Sequence, residues 1–130
     1  MTRTVRTMLA AVAAVLVFAP ALAWAHAHLV KSEPAENARL TTSPAWIQLW
    51  FSEPVLLEKT TIRLKDSAGV VMPTASITRG KGARSVRVAV QKALKPGRYT
   101  VEWKNQALNG HPESGSYNFS VASRKNLDRF

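Results

Sequence analysis

From Trp46 onward the chain is a succession of short apolar runs, each halted by turn residues. Trp46-Ile-Gln-Leu-Trp-Phe51 is strongly β-prone and stops at Ser52-Glu53-Pro54. Residues 60–65 alternate into the turn Asp66-Ser-Ala-Gly69, and Val70-Val-Met72 ends at Pro73. Gly80-Lys-Gly82 marks another turn before residues 85–90, which alternate strictly, and residues 98–104 and 116–121 supply two more strands. A period of two gives each strand one apolar face, which a second sheet must cover. Short strands at roughly even spacing, with no internal repeat and no amphipathic helix, predict an all-β sandwich or barrel.

Leu94-Lys-Pro-Gly-Arg-Tyr99 sharpens that choice. A tyrosine at the start of a strand, just past a Pro-Gly turn, reads as a tyrosine corner whose phenol reaches back to upstream backbone. Tyr99, Val101 and Trp103 then share one face. An immunoglobulin-like sandwich is the architecture these features predict.

The first 25 residues read as an export leader. Arg3 and Arg6 precede an apolar core at residues 9–18, Pro20 breaks that core, and Ala23-Trp24-Ala25 forms an A-x-A cleavage site. The core is short for a membrane span. The expected organisation is a cleaved leader over 1–25, a β-sandwich over 26–121 and a short tail over 122–130, in an exported product. With no cysteine, neither a disulfide framework nor a thiolate metal site is available. The core aromatics must hold the fold. Losing Arg3 and Arg6 from 18 basic residues leaves 16 against 8 acidic ones. Export turns that excess away from nucleic acid and toward an anionic envelope surface. The basic residues are also scattered, as on a solvated face.

Cleavage after Ala25 makes His26 the first residue, with an α-amine and an imidazole together and a second imidazole at His28. Such nitrogen donors suit Cu(II), Ni(II) and Zn(II). In a sandwich of this type the start of the first strand, the end of the second and the connection between the last two lie at one end. That brings His26, Glu53 and the connection 105–115, with His111, to a common rim. These positions also have ordinary alternatives: a frayed terminus, a turn-shaping histidine before Pro112, a solvated carboxylate at a strand end. Their joint convergence on the cleavage point favours a metal site.

Four ordered stretches resemble the CopC family of periplasmic copper-binding proteins of copper resistance. They are His26-Ala-His-Leu-Val with the following Ser-Glu-Pro-Ala, Leu49-Trp-Phe-Ser-Glu-Pro-Val55, Leu94-Lys-Pro-Gly-Arg-Tyr-Thr-Val-Glu-Trp103 and Gly110-His-Pro-Glu-Ser-Gly-Ser116. The resemblance implies a Greek-key sandwich of about seven strands and a Cu(II) site. In it His26 gives amine and imidazole, His111 a second imidazole, and Glu53 matches an acidic residue near the metal. Where such proteins typically carry a ligating Asp, two residues before the late histidine, this chain has Asn109. An amide oxygen is the poorer donor for Cu(II).

His26-Ala-His28 offers a competing mode, a terminal chelate of amine, two deprotonated amides and the His28 ring. A Cu(I) thioether site is not expected, since Met72 is the one methionine beyond the leader. The resemblance implies sequestration, resistance or delivery of copper to a CopD-type inner-membrane partner, and no enzyme activity. Two other classes stand beside it: an envelope interaction module with a weakened or lost copper site, and a small copper oxidase or oxygenase. The second would need longer loops to form a substrate face than so short a chain has to spare.

Overall fold

In the computed structural model, which describes residues 26–123, two sheets face each other across one core. The expected leader, and the tail beyond residue 123, lie outside the described residues. Nine strands run in order: β1 (Leu29–Glu33), β2 (Arg39–Leu40), β3 (Trp46–Phe51), β4 (Thr61–Asp66), β5 (Val71–Met72), β6 (Thr78–Arg79), β7 (Ser85–Ala89), β8 (Gly97–Gln106) and β9 (Pro112–Val121). One sheet has the order β1-β3-β7-β6, the other β2-β9-β8-β4-β5. The chain crosses between sheets after β1, β2, β3, β5 and β7. The count exceeds the expected seven or so, and three of the nine, β2, β5 and β6, have only two residues each.

Alternation places the core as expected. Ile47, Leu49 and Phe51 of β3, Ile62 and Leu64 of β4, Val86 and Val88 of β7, and Tyr117, Phe119 and Val121 of β9 all point inward and are buried. Phe51 packs against Trp103 with ring centroids 5.3 Å apart, and Tyr99 stacks on Phe119 at 5.6 Å. Buried aromatics of this size dominate the stabilisation of a core without cross-links. The Tyr99 hydroxyl donates to the Lys95 carbonyl at 2.6 Å, so the predicted tyrosine corner is present.

Turn chemistry also holds at residues 66–69. The Asp66 carboxylate accepts from the amides of Ala68 and Val70 at 2.9 and 2.8 Å. Gly69 takes φ +81°, where a side chain would be strained. Among the described residues no helix is long and apolar enough to cross a membrane.

Two departures bear on the rim. The β8–β9 ladder runs further than alternation suggests, pairing Asn105 with Glu113 and Gln106 with Pro112. The expected 105–115 connection therefore shrinks to residues 107–111. Pro112, which has no amide to donate, stands at the strand start where such a residue is tolerated. In β1 the pairing passes from Leu29↔Phe51 to Lys31↔Trp50, leaving Val30 as an extra residue. That bulge resets the alternation. Ser32 turns inward, and the Lys31 ammonium lies over the Trp50 ring at 4.6 Å.

Candidate metal site

The first described residues are fixed in place. Ala27 is wholly buried, and its carbonyl accepts from the Asn105 side-chain amide at 2.9 Å. With Ala27 inward, the period of two sends His26 and His28 outward on the same side. Ser52, the first residue after β3, completes the attachment. Its hydroxyl accepts from the His28 amide at 2.9 Å and donates to the His26 carbonyl at 3.3 Å. Its own amide donates to the His28 carbonyl at 2.8 Å.

The same stretch holds the β8–β9 turn. Val55 bridges Ala107, and the Leu108 amide donates to the Pro54 carbonyl at 3.3 Å. Leu56 donates to Gln106 at 2.9 Å. Ser52-Glu53-Pro54 thus ties the start of the chain to the late turn, and the turn carries His111 to His26.

Three imidazoles form a short row at this rim. His26 lies in the middle, with ring centroids 6.2 Å from His28 and 5.6 Å from His111. Interplanar angles of 21° and 27° make both contacts stacked, so the rings show each other faces rather than nitrogens. Among the described residues no three histidine, aspartate or glutamate side chains are closed on a common point. All three histidines are solvent-exposed, which leaves room for their rings to turn.

The carboxylate seated against this row is Glu113. Its Oε1 lies 3.0 Å from His28 Nδ1, with the Glu113 side chain 26% exposed and the His28 side chain 66%. Its other oxygen, Oε2, is buried without a hydrogen-bond partner, as is Oδ1 of Asn105 on the same rung of the β8–β9 ladder.

The histidines expected at one rim are therefore together, and Glu53 is half-buried between Ser52, which bonds His26 and His28, and Pro54, which bonds Leu108. Asn109 is exposed in the turn where the Gly110 amide meets the Ala107 carbonyl at 3.3 Å. Ser52, Asn105 and Glu113 were not anticipated. Two sequence signals point to the last two. Asn105 continues the inward parity of Tyr99, Val101 and Trp103, where a polar residue must have a purpose. His111 and Glu113 stand two apart at the start of a strand.

Known proteins resemble this chain throughout the sandwich. Residues 29–122 match the CopC domain family. Copper resistance protein C of Xanthomonas campestris pv. juglandis is 34% identical over 125 residues, covering 92% of this chain and 96% of its own. Protein YobA of Escherichia coli K12 is 36% identical over 99 residues, 75% of this chain and 80% of that protein. Among solved structures, CopC from Methylosinus trichosporium OB3b superposes with a TM-score of 0.69 at 24% identity, covering 76% of this chain and 96% of its own. PcoC from Escherichia coli, a methionine-rich copper resistance protein, gives 0.68 at 25%, covering 75% and 99%.

Proposed function

This chain belongs to the CopC family, and from that membership we propose that it is a periplasmic protein that binds copper as Cu(II) and holds it without turning it over. Membership supports a copper-binding role in copper resistance. The single observation that carries the finer reading is the row of three imidazoles built from opposite ends of the chain, with His26 in the centre.

Removal of a leader after Ala25 gives His26 an α-amine beside its ring. Amine and imidazole from His26, with the imidazole of His111, make a nitrogen-rich set suited to Cu(II). Asn109 stands where the family resemblance implies a carboxylate, and Glu53 directly follows the serine that holds the terminus. The competing terminal chelate needs the His28 amide nitrogen, which here donates to Ser52, and must lift buried Ala27 out of the core. That cost favours the rim mode. The role is sequestration, resistance or delivery to a CopD-type membrane partner, with the basic surface available to the anionic envelope.

A Cu(II) titration of protein beginning at His26, followed by electron paramagnetic resonance, tests this reading. Tight binding with nitrogen superhyperfine structure is expected. His111→Ala, or a tag left on the amine, is expected to weaken it by roughly 10- to 100-fold. Absence of Cu(II) binding by the processed protein returns the chain to an envelope interaction module. Equal binding by tagged and processed protein removes the α-amine from the site.

A further inference from the structure

We propose that Glu113 is the positioning carboxylate of this rim, fixing His28 as a third imidazole donor and supplying the negative charge that Asn109 does not. The inference rests on the rim being the copper site.

When Nδ1–H of His28 donates to Glu113 Oε1, the tautomer is set and Nε2 keeps its lone pair on the far side of the ring. Metal-binding histidines very commonly give their second N–H to a carboxylate, which orients the ring and raises its basicity. His28 has that arrangement, with Nδ1 3.0 Å from Glu113 Oε1. Its backbone is fixed as well, by Ser52 on both its amide and its carbonyl.

Glu113 Oε2 supplies a second, independent argument. A buried carboxylate oxygen without a donor is costly unless a cation compensates it. Here the cross-strand neighbour makes matters worse. Asn105 spends its amide hydrogens on Ala27, so its own buried oxygen also lacks a donor. Two unpartnered acceptors on one rung form an electronegative backing behind a row of imidazoles. A divalent cation at the rim relieves that imbalance. An ordinary exposed His–Glu pair, by contrast, contributes little and requires no buried oxygen.

The test uses processed wild type, Glu113→Gln, His28→Ala, the double variant and His111→Ala. Cu(II) affinity is measured by chelator competition, the donor set by electron paramagnetic resonance, and the fold by melting without metal. Glu113→Gln and His28→Ala are each expected to lose about 10- to 100-fold in affinity and to shift the copper hyperfine coupling. The double variant should lose no more than the stronger single one. Wild-type affinity and spectrum in Glu113→Gln overturn the proposal. Should that variant melt without metal at a much lower temperature, His28→Ala decides: an unchanged spectrum there also overturns it. If wild type binds no Cu(II), or His111→Ala changes nothing, the rim itself fails as the copper site. Loss in His111→Ala with none in the other two leaves the rim standing and removes only Glu113 and His28.

Discussion

Ser52 holds His28 from both directions, accepting from its amide at 2.9 Å through the hydroxyl and donating to its carbonyl at 2.8 Å through its own amide. One contact depends on the side chain and the other does not. Ser52→Ala should therefore loosen the terminus without detaching it. About 1 kcal/mol of stability is expected to be lost. Cu(II) affinity should fall by roughly 10-fold, as for other residues that orient ligands. Urea unfolding and a copper titration on the same preparation check both.

Asn105→Ala should be the more severe change. It strands the buried Ala27 carbonyl, at a cost of roughly 1–3 kcal/mol, and opens space beneath the terminus. Hydrogen exchange at Leu29 and Val30 should rise more than exchange at the centre of β8. Unchanged exchange there would show that Ala27 is held by packing alone.

Gly115→Ala probes the rung beyond the rim. A Cβ at Gly115 would lie 2.5 Å from Cζ2 of Trp103, whose ring is wedged against Phe51. The indole cannot swing aside freely, so a loss of roughly 1–3 kcal/mol is expected. Near-ultraviolet circular dichroism should record the displaced tryptophan.

Tyr117 governs the alkaline limit. Burial pushes its phenol up to about 12, partly offset by the nearby Ser32 hydroxyl, which does not reach hydrogen-bonding geometry. The folded value exceeds that of an unfolded tyrosine. Stability is therefore intact below about 10 and declines as pH rises toward about 12, by about 2 to 3 kcal/mol in all. Tyr117→Phe should flatten that decline, read from melting temperatures between pH 9 and pH 12, and should cost little at neutral pH because it removes an unpartnered buried hydroxyl.

Asn109→Asp tests whether residue 109 faces the proposed ion. The side chain is exposed, so packing is untouched. An added negative charge beside a divalent ion should tighten Cu(II) binding by roughly 10- to 100-fold. No change would indicate that the turn keeps residue 109 away from the ion.

Where apolar residues alternate, the strands were readable in advance, because burial of one face leaves a period of two in β3, β4, β7, β8 and β9. β1 was harder. Its Val30 bulge breaks the period, leaving Leu29 and Ser32 inward with two outward residues between them. β2 and β6 have two residues each and owe their pairing to neighbours. The meeting of three histidines followed from topology, since strand ends are arranged by the fold. Glu113 did not, because its proximity to His28 depends on how far the β8–β9 ladder runs. Ser-Glu-Pro reads as a strand stop, and nothing local reveals that its serine grips the terminus.

The rim joins parts of the two sheets that have no strand pairing in common. His26 and His28 lead into β1 on one sheet, while His111 and Glu113 belong to the β8–β9 hairpin on the other. An ion held by both would act as a rivet across the open end of the sandwich, and loading should stiffen that end while leaving the tyrosine corner at the other unaltered. Binding to the folded chain alone also adds stability with concentration, about 2.7 kcal/mol when free copper is 100 times the dissociation constant. On the proposed function, a partner that touches only this end would meet a stiffer surface on the loaded chain than on the empty one, and the short lead into β1, residues 26–28, is all that need lift to open the rivet.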